Sequence, residues 1–149
     1  MSEIHEKYMQ IALAEAREAA RQGEVPVGAV VVAGGRTIAR AHNLTETLGD
    51  VTAHAEMQAL TAAAAALGGK YLDKCTLYVT VEPCPMCAAA LRWAQLGTLV
   101  YGARDTKRGY TTVTKELLHP KTAVVPGILE EECSRLVSGF FADLRNPKS

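Results

Sequence analysis

The chain has 149 residues, of which 48% are hydrophobic and 21% charged, and its 16 basic and 16 acidic side chains cancel. This composition predicts one globular domain over residues 1–149 and excludes a disordered chain, a collagen-like repeat and a coiled coil. The balanced charge argues against a strongly basic nucleic-acid binder but allows a local basic patch. No apolar run approaches the ~18 residues that a membrane-spanning helix needs, and the first residues do not resemble a secretory signal. We therefore expect a cytoplasmic protein without membrane contacts.

The order of apolar and turn-forming segments predicts alternating helices and strands. Apolar residues at the helical repeat indicate helices, whereas β-branched or continuously apolar runs indicate strands. Gly34 and Gly35 are typical of a hairpin turn, and Gly68 is typical of a helix end. In chain order, the pattern predicts a helix over 3–22, strands over 27–32 and 37–41, a polar loop over 43–52, a helix over 53–67, a strand over 76–81, a helix over 86–96, a strand over 99–101, a short helix over 113–118, a strand over 123–125 and a helix over 128–144. These elements predict a three-layer α/β/α domain, with a mixed central sheet flanked by helices.

Three potential metal ligands stand at the starts of two predicted helices. Cys84 and Cys87 are separated by two residues, which is about one helical turn, so both sulfurs can reach the same ion. His54 opens the preceding helix, and the positive end of a helix dipole favours the thiolate form of a nearby cysteine. Because two thiolates and one neutral imidazole balance the charge of Zn²⁺, these residues predict a zinc site.

Glu56 indicates that the predicted zinc site is catalytic. Three protein ligands leave one coordination position for water, as in catalytic rather than structural zinc sites. Glu56 lies two residues after His54, near enough to act as a base toward that water. Segments 54–56 and 83–87 match the established H-x-E…P-C-x-x-C signature of zinc deaminases, in which the glutamate is the general acid and base.

Two alternatives use the same cysteine pair. A structural zinc site needs a fourth ligand, and Cys75 and Cys133 are the remaining thiols of the sequence. A thioredoxin-like redox pair uses neither His54 nor Glu56. We interpret Cys75 and Cys133 as small apolar residues of the core.

Further segments accompany the zinc signature. They are 24–30, 43, 52–56, 77–80, 82–84, 86–87, 102–105, 118–120, 127–129, 132–133 and 140–141. With them the chain resembles the bacterial tRNA-specific adenosine deaminases, within the cytidine deaminase-like superfamily, from about residue 8 to 145. The zinc signature belongs to the whole superfamily, whereas the Gly-Ala-Arg-Asp stretch and the C-terminal Phe pair are typical of the tRNA branch. The resemblance implies a cytidine deaminase-like fold.

The resemblance also implies an activity and its residues. It implies hydrolysis of adenosine to inosine at the wobble position of a tRNA anticodon stem-loop, by a homodimer with one Zn²⁺ per subunit. Asn43 would hydrogen-bond the target base, while Arg104, Asp105 and Lys107 would lie beside the anticodon loop. The base must leave its stack before water can attack it, and Glu56 would pass protons to the ring and to the departing ammonia.

The segment 104–121 carries five basic and two acidic residues, a net charge of +3. This local charge predicts an RNA-facing patch on an otherwise neutral protein. Tyr110 lies in the segment and could stack on a base, although packing is the commoner role of tyrosine. We interpret Trp93 as a residue of the core or of a dimer interface.

Two other functions remain open. A deaminase of a free nucleobase or nucleoside, of the guanine or cytosine type, would use the same zinc ligands, Glu56 and Asn43. It would have no need of a basic segment over 104–110. A zinc-stabilised RNA-binding or interaction module would keep its activity without the Glu56 carboxylate.

Overall fold

The computed structural model describes residues 2–145, which contain a five-stranded mixed sheet. The strands are β1 (Gly28–Ala33), β2 (Arg36–His42), β3 (Cys75–Val81), β4 (Thr98–Ala103) and β5 (Ala123–Val125). Their order in space is β2-β1-β3-β4-β5. β1 is antiparallel to both of its neighbours, whereas β3, β4 and β5 are parallel. The carboxyl ends of β3 and β4 therefore lie side by side.

Helices cover both faces of this sheet. They are α1 (Ser2–Arg21), α2 (Thr45–Leu48), α3 (Ala55–Leu67), α4 (Pro85–Trp93) and α5 (Glu130–Arg145). α1 and α5 pack on one face, and α3 and α4 share an apolar cluster with the opposite face. The predicted three-layer α/β/α arrangement is confirmed. Within residues 2–145, every helix is too short or too polar to cross a membrane.

β1 is buried on both faces, as its apolar run predicts. Val30 packs in the cluster beneath α1, whereas Val31 packs in the cluster beneath α3. At the start of β1, Gly28 allows a close approach of α1, because a Cβ there would lie only 2.6 Å from the backbone nitrogen of Ala16. The helix layer and the sheet are therefore in backbone contact at this point.

The predicted hairpin turn is confirmed. Gly34 and Gly35 have φ angles of +57° and +73°, which two consecutive residues of a type I′ turn require. The turn joins β1 to β2, and the residue pair next to the turn is Ala33 of β1 with Arg36 of β2.

Two predicted elements differ from the structure. The segment 43–52 is not wholly a loop, because it contains α2. No short helix spans 113–118, where two 3₁₀ turns, Tyr110–Thr112 and Lys115–Leu117, are found instead. The Arg92 guanidinium donates to the carbonyls of Glu116 and Leu118, at 2.9 and 3.0 Å, so these carbonyls bond to a side chain rather than to a continuing helix.

The helix predicted over 86–96 ends earlier, at Trp93. Gln95 adopts a left-handed φ of +56°, and the Leu96 N–H donates to the Leu91 carbonyl at 3.2 Å. This is a helix-terminating arrangement that usually uses glycine. The sequence prediction missed this helix end because the residue with the left-handed φ, Gln95, is not a glycine, and the first glycine after α4 is Gly97.

Candidate active site

Two helix starts bring three potential metal ligands together. His54 is the N-cap of α3 and Cys84 is the N-cap of α4, and both have extended backbones that turn their chains into a helix. Pro85 occupies the first turn of α4, where a missing N–H costs little. Cys87 lies one turn into α4 and is fully buried. The two helix starts therefore converge on one point.

The spacing of the three ligand atoms fits a tetrahedral metal ion. The Nδ1 atom of His54 lies 3.6 Å from the Cys84 sulfur and 3.5 Å from the Cys87 sulfur. Zinc–sulfur and zinc–nitrogen bonds of usual length, at a tetrahedral angle, place sulfur and nitrogen about 3.6 Å apart. Among residues 2–145, this is the single group of three or more His, Cys, Asp or Glu side chains with metal-binding spacing. Cys75 and Cys133 are buried elsewhere, so neither supplies a fourth ligand.

The two sulfurs differ in protonation because they share a hydrogen bond. The Cys87 side chain, opposed by burial, lowers the pKa of the Cys84 thiol to about 5. The same contact with Cys84, together with burial, raises the pKa of the Cys87 thiol. One thiolate is thus favoured even without a cation, which suits a donor set for a soft divalent metal.

Glu56 lies beside these ligands in the first turn of α3. Its side chain is 5% exposed. Burial raises the pKa of the Glu56 carboxyl to about 7, against the lowering effect of its own backbone N–H; the Cys84 sulfur raises the pKa and the Cys87 side chain lowers it. A carboxyl that both accepts and releases protons near neutral pH is suited to acid–base chemistry. We call His54, Glu56, Cys84 and Cys87 the metal corner.

A cavity of about 270 Å³ opens at the metal corner. Its apolar walls come from the chain before β1, the end of β3 and one side of α5, and its polar groups surround the metal corner. Asn43 is 7% exposed, and its Oδ1 accepts a hydrogen bond from the Thr45 N–H at 3.3 Å. The lining residues are Val25, Val27, Asn43, Thr45, His54, Ala55, Glu56, Val81, Glu82, Cys84, Asp105, Arg108, Val137 and Phe141. The volume lies just below the range of about 300–1,000 Å³ that is typical of ligand pockets.

A basic groove of about 570 Å³ continues from this cavity. The two share part of their lining, including Asp105, Arg108 and Phe141. The groove also contains four cationic side chains against the one carboxylate of Asp105. These cations are Arg104, Lys107, Arg108 and Arg145. Within residues 2–145 none of the four belongs to an ion pair, and all are exposed. We call these four residues and the hollow between them the basic groove.

The residues predicted to bind substrate fall into two places. Asn43 and Asp105 line the cavity at the metal corner, whereas Arg104 and Lys107 line only the basic groove. Sequence reasoning assigned no cavity role to Phe141, Val137 or Val25, although the C-terminal Phe pair was part of the resemblance. These apolar walls could not be found by motif, because their side chains meet only when α5 packs beside β3 and β4.

The structure decides between the alternatives for two aromatic residues. Tyr110 is only 3% exposed and packs in the apolar cluster beneath α3 and α4, so packing, the commoner role, is confirmed and stacking on a base is excluded. Trp93 is 82% exposed at the end of α4 and is therefore not a core residue. The charged segment 104–121 is also divided, because Lys115 lines a separate hollow near His119 rather than the basic groove.

Comparison with known proteins agrees with this geometry. The sequence matches the MafB19-like deaminase family over residues 3–145. It is 47% identical over 148 residues to the tRNA-specific adenosine deaminase of Bacillus subtilis (strain 168), covering 96% of this chain and 92% of that protein. A structure described in a study of A-to-I editing by tRNA:A34 deaminases at the wobble position of transfer RNA has a TM-score of 0.81 and 43% identity, over 87% of this chain and 98% of that chain. The guanine deaminase of Bacillus subtilis gives a TM-score of 0.67 and 34% identity, over 97% of each chain. This chain therefore belongs to the family of tRNA-specific adenosine deaminases, which are hydrolytic deaminases with an α/β fold.

Proposed function

We propose that this chain is a zinc-dependent enzyme that hydrolyses adenosine to inosine at the wobble position of a tRNA anticodon. The observation that carries this proposal is the metal corner opening through one small cavity into the basic groove. The 47% identity to a tRNA-specific adenosine deaminase supports the choice of substrate. We further propose that residues 1–149 act as one catalytic domain and that this domain works in the cytoplasm. The single sheet of the described residues supports the assignment of one domain.

His54, Cys84 and Cys87 would hold one zinc ion per chain. Their ligand atoms lie at tetrahedral spacing, and their mixed nitrogen and sulfur donors suit zinc. When bound, zinc supplies the Lewis acidity that makes water a competent nucleophile at neutral pH. The buried position of Cys87 and the backbone caps of α3 and α4 keep the ligand geometry fixed before substrate arrives.

Glu56 would move the protons of the reaction. In the net reaction, adenosine and water give inosine and ammonia. Water forms a bond to the ring carbon, and the bond from that carbon to the amino nitrogen breaks. Both protons of the water pass in turn through the Glu56 carboxylate, one to the ring nitrogen and one to the leaving ammonia. Because Glu56 lies in the first turn of α3, two residues after the His54 ligand, it faces the same cavity as the metal ligands.

Asn43 would hold the target base in the cavity. Its Oδ1 already accepts the Thr45 N–H, so the amide orientation is fixed and the NH₂ group is available to a base acceptor. A cavity of about 270 Å³ has room for an everted base but not for a stacked strand. The surrounding apolar walls, which include Val27 and Phe141, would exclude water from the base.

The basic groove would bind the RNA backbone next to the everted base. Its unpaired cations lie within one loop and the last helix, directly beside the cavity. Phosphates attract such a group, and side chains of this kind supply much of the affinity of proteins for nucleic acids. A free nucleobase carries no phosphate, so an enzyme for free bases would gain nothing from the groove.

We also propose that the enzyme is a homodimer, with Trp93 at its interface. An aromatic side chain that is 82% exposed is unusual unless another molecule covers it. Replacement by a charged side chain, Trp93→Glu, is expected to shift the sedimentation of the protein toward the monomer. Unchanged sedimentation of a folded variant would remove Trp93 from the interface.

The decisive experiment compares RNA with free bases. The zinc-loaded protein is incubated with an anticodon stem-loop carrying a wobble adenosine, and inosine is measured by mass spectrometry. Free guanine, adenine, cytosine and cytidine are assayed under the same conditions. We expect inosine in the RNA and no ammonia from the free bases. Ammonia from a free base with unaltered RNA would overturn the substrate and leave the zinc chemistry intact.

A further inference from the structure

Glu82 is a buried carboxylate that is bonded to donors rather than to a cation. It directly follows β3 and is 4% exposed. Its Oε1 accepts a hydrogen bond from the Asp105 N–H at 3.2 Å. Its Oε2 accepts from the Thr111 N–H at 3.1 Å and from the Thr111 hydroxyl at 2.7 Å. Among residues 2–145, it takes part in no salt bridge. A buried carboxylate is costly unless its oxygens are hydrogen-bonded, and these three donors satisfy both oxygens. Because the donors belong to Asp105 and Thr111, Glu82 holds both ends of the 105–111 loop.

The loop closes tightly around this carboxylate. The Gly109 N–H donates to the Asp105 carbonyl at 2.9 Å, and the Tyr110 N–H donates to the Pro83 carbonyl at 2.8 Å. A Cβ at Gly109 would overlap the Glu82 side chain, so this position has no room for any larger residue. The 105–111 loop is thus shaped by Glu82 and by the residue next to it, Pro83, immediately before the Cys84 ligand.

Two of the four cations of the basic groove are attached to this anchor through Asp105. The Asp105 Oδ1 accepts hydrogen bonds from the N–H groups of Lys107 and Arg108, at 3.1 and 2.9 Å. The Asp105 N–H is itself bound by Glu82. Two successive hydrogen bonds therefore connect the Glu82 carboxylate to the backbone of two cations.

Glu24 makes the same kind of anchor for α2, which lies next to Asn43 in the chain. It is fully buried, and its carboxylate accepts the N–H groups of Glu46 and Thr47 at 3.0 and 2.6 Å, and the Thr47 hydroxyl at 2.6 Å. Burial raises the pKa of Glu24, but these hydrogen bonds outweigh burial and leave its pKa below the ordinary value. Glu24 therefore holds α2 beside Asn43, on the wall that faces the base.

We propose that Glu82 is a positioning residue that builds the RNA-facing wall: it holds the 105–111 loop so that two cations of the basic groove, Lys107 and Arg108, are in place before RNA binds. This inference depends on the proposed function for its RNA substrate. Glu82 does not need to contact the reacting atoms, and its effect is expected in substrate binding rather than in the chemical step.

A glutamine cannot replace this carboxylate. Both Glu82 oxygens accept backbone N–H groups, whereas a glutamine side chain has one oxygen and one NH₂ group. In Glu82→Gln, a donor therefore faces the N–H of either Asp105 or Thr111. A milder pair of variants is available at Thr111, because Thr111→Val removes only the hydroxyl donor and Thr111→Ser keeps it.

The experiment measures loop anchoring and RNA deamination separately. In Glu82→Gln we expect the Asp105 and Thr111 amides to exchange hydrogen at least about tenfold faster, because they lose hydrogen bonds to a charged group. The KM for the anticodon stem-loop should rise about 10–100-fold, with kcat and zinc content within about twofold of the parent. Thr111→Val should raise KM by about 3–10-fold, and Thr111→Ser should restore the parent value.

Glu24→Gln is the matched control, because it alters the same kind of anchor on the base-facing wall. It should speed exchange at Glu46 and Thr47 and leave the Asp105 and Thr111 amides unchanged. Unaltered exchange in Glu82→Gln, or lowered kcat and zinc content with an unchanged KM, would overturn the inference. If the parent protein does not act on RNA, the proposed function fails, and the exchange rates still decide whether Glu82 anchors the loop.

Discussion

The metal corner and the basic groove are neighbours that are built in opposite ways. The metal corner consists of side chains at two helix starts, and its Glu56 and Cys87 are buried. The basic groove consists of exposed cations on a loop and on the last turn of α5. Rigid, water-poor surroundings suit bond making and proton transfer, whereas exposed cations suit recognition of a long polyanion. We therefore expect the chemical step to depend on the metal corner and the recognition of RNA to depend on the basic groove. The following variants test this division.

Loss of the metal should have the largest effect. Removal of zinc by a chelator, or the variant Cys87→Ala, should abolish deamination of every substrate, because the nucleophilic water is no longer activated. Bound metal is measured by atomic emission and activity by ammonia release. Cys75→Ala is the matched control, since Cys75 is a buried cysteine outside the metal corner. Full activity of metal-free protein would contradict the zinc proposal.

Glu56→Ala should lower kcat by about 10²–10⁴-fold, which is the usual contribution of general acid–base catalysis. The loss should be the same for RNA and for any free base that is accepted, since the carboxylate moves protons and does not select the substrate. Zinc content should remain that of the parent. Glu56→Gln keeps the size of the side chain and should be equally inactive. A kcat retained in both variants would contradict the assignment of proton transfer to Glu56.

Asn43 lines the cavity at the metal corner and should give an intermediate effect. Asn43→Ala removes the donor to the base and the acceptor for the Thr45 N–H, so kcat/KM should fall about 10–100-fold. Asn43→Asp keeps the acceptor for Thr45 and loses the NH₂ donor. If both variants lose activity to a similar degree, the base contact is the cause. Recovery of activity in Asn43→Asp would assign Asn43 to holding α2 instead.

Lys107→Ala combined with Arg108→Ala should have the smallest effect on chemistry and act on RNA alone. The affinity for the stem-loop should fall, and the slope of its logarithm against the logarithm of salt concentration should decrease by about 0.7 for each phosphate that the protein no longer neutralises. The charge-matched control combines Lys70→Ala with Lys115→Ala, which lie outside the basic groove. An unchanged salt dependence in the groove variant would reject its role in RNA binding.

The candidate metal corner was predictable from sequence because its residues match the zinc deaminase signature. Cys84 caps α4 and Cys87 follows one turn later, so short-range backbone preferences fix this pair, whereas His54 lies 30 residues before Cys84 and joins it only in the folded chain. The layer order of the fold followed from the same short-range patterns, including the hairpin at Gly34 and Gly35. Boundaries were less predictable where a distant side chain intervened, as Arg92 does at the carbonyls of Glu116 and Leu118.

The sequence by itself therefore determined the candidate metal ligands and the neighbouring Glu56, through the zinc deaminase signature, and the three-layer architecture, through the local periodicity of its elements. Tertiary structure alone decided the walls of the cavity and the division of the basic segment between two hollows. Glu24 caps α2 across 22 residues of chain, and Glu82 anchors Thr111 across 29. No local pattern marks such pairs, since a buried carboxylate meets its donors only after the sheet has brought separate loops to one edge.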